Sequence, residues 1–151
     1  LVTMFTVGHT ISLILASYGK VKIDGNLIEF LIPVTILIVA VYNVFTAGKT
    51  AKSQKIGLLF VSTLFFGLVH GFGFAREFRM SLDQGDSKLL RLAEFALGIE
   101  IAQIIIVFVV LFLSYIFQTV FRFSKRDWVM VISAVVVGLV IPMLLNSPLL
   151  D

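Results

Sequence analysis

The chain has 151 residues, of which 59% are hydrophobic and 14% are charged, and its formal net charge is +3. An ordinary soluble domain has about 25% charged residues, so this composition, with a mean hydropathy of +1.07, excludes a soluble globular protein and favours the lipid bilayer. The absence of cysteine excludes disulfides, thiolate metal sites, iron–sulfur clusters and cysteine nucleophiles.

Five apolar segments follow one another along the chain, and short polar connections separate them. They cover residues 1–18, 27–47, 56–75, 93–120 and 128–145. Each is close to the ~20 residues that a spanning helix needs, and backbone groups in lipid must be hydrogen-bonded within the segment itself. The pattern therefore predicts an all-α membrane protein, a polytopic helical bundle with five spanning helices in a single domain over residues 1–151.

The first two helices carry three polar side chains of interest. His9 lies in the stretch FTVGHTISL of the first helix. An ionisable residue inside a membrane helix is costly and indicates a function by default, so His9 is a candidate site residue. Glu29, near the start of the second helix, is explained by solvation or by a loop lysine, and Asn43 is interpreted as an interhelical hydrogen-bonding group rather than a ligand.

The third helix contains the stretch LFFGLVHGFGFA, residues 64–75, in which His70 is the only polar side chain. Gly67 and Gly71 have the small-xxx-small spacing of closely packed membrane helices, and Gly73 follows. Two interpretations of His70 stay open. It is either a neutral core histidine hydrogen-bonded to a carbonyl, or a site residue that the glycines bring against a neighbouring helix.

The fourth helix carries Glu100 and Gln103 in the stretch LGIEIAQI. Residues three apart share one face of a helix, so both side chains are expected on the same side. Several apolar residues flank Glu100 on either side, so its carboxylate needs a cation, a partner or a proton. Gln103 is interpreted, like Asn43, as an interhelical hydrogen-bonding group.

Two histidines and a carboxylate thus come from three separate helices. Imidazole and carboxylate together suit divalent nickel, cobalt, zinc or iron. We expect His9, His70 and Glu100 to face the bundle interior and to approach one another as metal ligands. The expected supporting polar or packing residues are Gln103, Asn43, Glu29, Gly67, Gly71 and Gly73.

Basic residues in the connections bear on the topology. Connections 48–55 and 121–127 share one side of the membrane, and connections 19–26 and 76–88 share the other. The two sides have equal totals of lysine and arginine if Arg91 is counted with the second side. Acidic residues concentrate in the second pair, so we expect connections 48–55 and 121–127 to be cytoplasmic. Topology and anionic lipid explain these charges better than nucleic acid does.

Four motifs, in this order on successive helices, resemble the HupE/UreJ family of bacterial membrane proteins. They are FTVGHTISLILA, the segment from Glu29 to Asn43, FGLVHGFGFA and LGIEIAQ. The resemblance covers nearly the whole chain. It implies a multi-pass protein of the bacterial inner membrane, encoded with hydrogenase or urease accessory proteins and regarded as a nickel or cobalt permease. By position, the family's two histidines and its helix-four glutamate correspond to His9, His70 and Glu100.

The resemblance also implies a sixth helix before Leu1. In the family, that helix carries a His/Asp-rich motif that ends in an Asp-His pair and is thought to bind metal. No such motif occurs in this chain.

Three functions stay open at this point, and the first is favoured. It is a secondary transporter (permease) for a divalent transition metal ion, Ni, Co or Zn, whose intramembrane His and Glu ligands replace part of the ion's water shell and then release it. The second is a membrane-embedded metal-dependent hydrolase with an open position for water. The third is a non-catalytic integral membrane subunit of a larger complex. The expected partners are the lipid bilayer and an oligomer or membrane-complex partner, and no nucleic acid.

Overall fold

The computed structural model describes residues 1–19, 21, 23–48, 56–80 and 87–150, which contain five helices and no strand. The helices are α1 (Val2–Ser17), α2 (Gly25–Thr46), α3 (Ile56–Met80), α4 (Lys88–Thr119) and α5 (Lys125–Leu145). The predicted all-α bundle is confirmed. Residues 49–55 and 81–86 of the predicted connections lie outside the described residues.

Three helices differ in length from the predicted spanning segments. Four helices, α2 to α5, are long and apolar enough to cross a membrane. The first helix has 16 residues, or about 24 Å at 1.5 Å per residue, which is shorter than the ~30 Å hydrocarbon core. The third helix continues past the predicted end at 75, and the fourth begins before 93, because charged residues at the membrane surface need not end a helix.

Side-chain caps fix the starts of α2 and α5. Asp24 accepts a hydrogen bond from the backbone of Asn26 at 3.0 Å. Ser124 and Asp127 form a capping box, in which each side chain accepts from the other residue's backbone N–H at 3.1 Å. These bonds satisfy N–H groups that the first turn of a helix leaves without partners. Polar residues beside the apolar runs therefore set where these two helices begin.

Helices α1 and α3 form the most extensive contact in the bundle. The fourth helix lies beside α1, α2 lies beside α3, and α5 lies beside α2, with a smaller contact between α4 and α5. A buried apolar cluster joins α1, α3 and the start of α4, and its members are Leu13, Ala16, Ala75, Phe78 and Leu92. The pair α1–α3 is therefore the centre of the fold, and it carries both histidines.

Contacts at the helix ends agree with the predicted alternation of the chain. Gly48, just after α2, lies against the side chain of Arg126 at the start of α5. The Nζ atom of Lys88 lies 5.5 Å from the ring centroid of Tyr18. The ends of α2 and α4 are thus on one side of the bundle, and the ends of α1 and α3 are on the other, as predicted. The cytoplasmic assignment of the first of these sides stays a prediction.

Candidate functional site

Two glycines bring α3 into backbone contact with α1 beside the histidines. A Cβ atom added at Gly67 would overlap the backbone of Phe5. A Cβ atom added at Gly71 would overlap the hydroxyl of Ser12 and the backbone of His9. The close approach predicted from the small-xxx-small spacing is therefore confirmed, and the partner helix is α1.

The other side of this contact also has a glycine, which the sequence reasoning missed. A Cβ atom added at Gly8 would overlap the backbone of Leu64. The available signal was the small-xxx-small spacing of Gly8 and Ser12 on α1. Gly73 has a different role, because its absent Cβ leaves room for the Ile32 side chain of α2.

His9 lies in an aromatic enclosure at the centre of the bundle. Only 2% of its surface is exposed. Its ring centroid lies 6.0 Å from that of Phe5, 5.5 Å from that of Phe74 and 6.4 Å from that of Phe95. Both ring nitrogens are buried and have no hydrogen-bond partner in the described part of the chain. Such unsatisfied groups are costly and rare in native proteins, which makes His9 a candidate ligand for something that enters the bundle.

His70 is partly buried and contacts a hydroxyl, whereas one of the two open interpretations had it bonded to a carbonyl. Its Nε2 lies 3.3 Å from Thr35 Oγ1 on α2. When the Thr35 hydroxyl donates its single proton to the carbonyl of Ile32 at 2.7 Å, its oxygen accepts a hydrogen bond from His70 Nε2–H. When it donates to His70 Nε2 instead, the neutral imidazole carries its proton on Nδ1. A neutral imidazole protonated at Nε2 has its lone pair on Nδ1. In the first of these two arrangements, the atom of His70 that can bind a cation is Nδ1.

The Phe5 ring contacts both histidines. Its ring centroid lies 6.0 Å from that of His9 and 5.3 Å from that of His70, and it meets His70 edge-on. The structure thus brings His9 and His70 against one phenyl ring. The sequence did not predict this shared aromatic contact.

Glu100 contacts α1 through two threonine hydroxyls. Thr3 Oγ1 lies 3.0 Å from Glu100 Oε1, and Thr6 Oγ1 lies 2.5 Å from Glu100 Oε2. Thr6 Oγ1 also lies 3.0 Å from Gln103 Oε1. Glu100 and Gln103 therefore share a helix face, as predicted. The contact of these threonines with Glu100 was not predicted, although their spacing of three on α1 was a usable signal.

The three predicted ligands occupy two neighbouring groups. His9 and His70 both contact the Phe5 ring, whereas Glu100 lies with Thr6, one helical turn before His9. The described residues contain no group of three or more His, Asp or Glu side chains that could hold a metal ion. The role of His9, His70 and Glu100 as metal ligands stays a prediction.

A cavity of about 320 Å³ opens beside His70, between α1, α2, α3 and α5. Its walls are mainly apolar, and its polar lining groups include His70, Thr35, Asn43 and the buried Ser133. Asn43 thus lines a cavity, where an interhelical hydrogen bond was expected. Ser133 was not singled out in the sequence, since a lone serine in an apolar helix gives no distinctive signal.

Glu29 lies apart from these groups. It is exposed and lines a second cavity, of about 310 Å³, with Pro33 and residues near the end of α5. This placement agrees with the interpretation of Glu29 as a solvated residue near the start of its helix.

The hydrogen bonds of Thr6 predict a specific stability effect. Thr6→Val replaces the hydroxyl with a methyl group of similar size, so it should lower the free energy of unfolding by about 0.6–1.7 kcal/mol, the range for one interhelical hydrogen bond in a membrane. Thr10→Val changes the same atoms one turn further along α1 and serves as the matched control. Unfolding in detergent micelles measures both variants, and equal destabilisation by the two would contradict the prediction.

Comparison with known proteins gives one match. No curated protein and no solved structure matches the chain. The family model described as HupE / UreJ protein matches residues 1–146. The match includes all five helices and every residue of the candidate site, and the chain therefore belongs to the HupE/UreJ family.

Proposed function

We propose that this protein is a secondary transporter for a divalent transition metal ion such as Ni²⁺ or Co²⁺, located in the bacterial inner membrane. The observation that carries the proposal is His9, whose buried ring nitrogens have no partner among the described residues, with His70 in contact with the same phenyl ring, that of Phe5. The association of the HupE/UreJ family with nickel and cobalt accessory membrane proteins supports the choice of cation.

The available donor atoms fit such a cation. Imidazole nitrogen is a good ligand for Ni²⁺, Co²⁺ and Zn²⁺, and His9 and His70 supply it from two helices. The chain has no cysteine, so soft thiolate ligands play no part. A divalent ion in a low-dielectric environment also needs a counter-charge. Glu100 is placed to supply it, because its partner Thr6 is one turn from His9 on α1.

These polar groups are distributed across the bundle, and this arrangement favours passage of a metal ion over its tight binding at one site. Glu100 lies on the α4 side of α1, His9 lies between α1 and α3, and His70 faces the cavity towards α2 and α5. A permeating ion must be bound strongly enough to enter and weakly enough to leave. Several small sets of ligands, each of which binds the ion in turn, satisfy both conditions.

The sequence also bears on the driving force of the proposed transport. The chain has no G-x-x-x-x-G-K-[ST] motif for nucleotide phosphates. The driving force in this proposal is therefore the gradient of the metal itself or of a coupled ion.

Transport by the purified protein tests the proposal directly. Vesicles that contain the protein and a nickel-sensitive dye should take up Ni²⁺ and Co²⁺ faster than protein-free vesicles. Mg²⁺ should not enter, because this hard cation prefers oxygen ligands and loses its water reluctantly. Nickel entry at the rate of protein-free vesicles would refute the proposal.

A further inference from the structure

We infer that the cavity beside His70 is a water-filled vestibule, which opens to the side of connections 48–55 and 121–127 and brings solvent to the centre of the bundle. It is also the route by which the transported cation reaches or leaves His70, and this part of the inference rests on the proposed function. The presence of water in the cavity does not depend on transport and is tested separately.

The cavity follows α2 from the middle of that helix towards its end. Thr35 lies halfway along α2 and contacts His70, and Asn43 lies less than one turn before the end of the helix. Gly48, just beyond the helix, lies against the side chain of Arg126. Charged side chains avoid the lipid interior, so this contact marks the membrane surface. The cavity therefore extends from the centre of the bundle towards one side of the membrane.

Two polar side chains in the cavity wall lack hydrogen-bond partners in the described part of the chain. They are Asn43 on α2 and Ser133 on α5. Ser133 is only 5% exposed, and its hydroxyl does not bond to a carbonyl of its own helix as those of Ser12 and Ser62 do. Buried polar groups without a protein partner are satisfied by ordered water in most proteins. These two side chains therefore indicate water in the cavity.

The size of the cavity is also suited to water. Its volume of about 320 Å³ is room for about ten water molecules at ~30 Å³ each. Cavities that stay dry are apolar on all sides, whereas this one has polar groups from three helices, which are Thr35, Asn43, His70 and Ser133. A chain of water molecules can connect these groups, because each molecule needs only a few polar partners.

A lipid acyl chain is the alternative occupant, because most of the cavity wall is apolar. An acyl chain would leave the amide of Asn43 and the hydroxyl of Ser133 without any hydrogen bond, which is unfavourable in a low-dielectric environment. These two residues lie on opposing helices, so no arrangement of one chain in the cavity avoids both. Water is therefore favoured over lipid.

Water beside His70 has a direct use in transport. A cation that leaves an imidazole ligand must replace it, and a permeating ion moves only if each site gives it up readily. Water molecules held by Asn43 and Ser133 would complete the ion's coordination shell as it passes through the vestibule. The two side chains thus act on the hydration of the ion and need not bind the ion themselves.

Thiol labelling in lipid vesicles tests whether the cavity contains water. The chain has no cysteine, so a single-cysteine variant reports on one position. Ser133→Cys places a thiol in the cavity wall, and Ala134→Cys is the matched control, at the same depth but exposed and outside the wall. A water-soluble thiosulfonate reagent with a permanent positive charge should label Ser133→Cys at least about tenfold faster than Ala134→Cys, because a charge enters lipid with difficulty.

A second pair of variants tests how far the water extends. Val136 is in the cavity wall one turn beyond Ser133, and its neighbour Val135 is 54% exposed and outside the wall. Val136→Cys should again be labelled faster than Val135→Cys. Both cavity positions should react when the reagent is on the side of connection 121–127, and Ser133→Cys should react at least as fast as the deeper Val136→Cys.

Three results would overturn the inference. The first is equal labelling within each pair. The second is labelling of the cavity positions by an uncharged, membrane-soluble maleimide alone, which would indicate an acyl chain. The third is labelling by the charged reagent only from the opposite side of the membrane, which would contradict the position of the opening.

Nickel uptake by the labelled variants tests the route of the ion. The reagent leaves a fixed positive charge in the vestibule of Ser133→Cys, which should slow Ni²⁺ uptake by repulsion, while labelled Ala134→Cys should keep its rate. Unchanged uptake by fully labelled Ser133→Cys would overturn the route and leave transport intact. If the unlabelled wild type took up no nickel, the transport proposal would fail, and the labelling rates would still decide whether the vestibule contains water.

Discussion

Gly71→Leu should remove most of the protein from the membrane, at least about tenfold relative to the wild type. The Cβ atom of the new side chain would overlap the hydroxyl of Ser12 and the backbone of His9, so α1 and α3 would have to separate. Overpacking costs about 1–3 kcal/mol of stability in a core that can rearrange around the added atoms. An overlap with the backbone, at the most extensive helix contact of the bundle, is harder to relieve and should cost more. Quantitative immunoblotting of membrane fractions gives the protein level.

Gly98→Leu is the matched control for this variant. Gly98 is on α4, and a Cβ atom added there meets nothing within 4 Å in the described part of the chain. This control should leave the protein at the wild-type level. Similar losses in both variants would show that leucine for glycine is harmful anywhere in the bundle, and the close contact between α1 and α3 would lose its support as the cause.

His70→Ala should have the largest effect on transport, with nickel and cobalt uptake reduced at least about tenfold at an unchanged protein level. Even residues that only orient a metal ligand change affinity or activity by about 10–100-fold when they are replaced, and the proposal makes His70 a ligand. The cavity beside His70 already leaves space next to the ring, so its removal should be tolerated by the fold. Uptake by cells that express the variant gives the measurement.

Gln118→Ala is a suitable control for the histidine variant. Gln118 is also a polar residue of a membrane helix, but it is exposed and hydrogen-bonded to Ser114 on its own helix, so uptake should not change. Normal uptake by His70→Ala would refute the ligand role. Loss of the His70→Ala protein itself would indicate that His70 is a structural core residue.

The helices were predictable because the bilayer imposes a simple rule. Every backbone polar group of a segment in lipid must be hydrogen-bonded within the helix. An apolar run of sufficient length therefore forms a helix largely independently of its exact sequence. The same reasoning indicated that Gly67 and Gly71 face a neighbouring helix, because only close packing explains two glycines at that spacing. Helix ends were predicted less well, because charged residues at the ends of α3 and α4 extend these helices beyond their apolar runs.

The neighbour of each face was not predictable. Periodicity tells which residues share a helix face, as it did for Glu100 and Gln103, but it carries no information about the residues opposite. The contacts of Glu100 with Thr6, and of both histidines with Phe5, depend on how α1, α3 and α4 pack together. Convergence of the three candidate ligands was inferred from residue type alone, and residue type does not fix distance.

The pairing of α1 with α3 has a consequence for how the protein is made. During synthesis α2 emerges before α3, yet the glycine contact of α1 is with α3. Until α3 is in the membrane, the helix that carries His9 lacks the close-packed partner that it has in the described bundle. We therefore expect the first helix to reach its final packing only after the third is inserted, and we expect glycine variants in α3 to lengthen that interval.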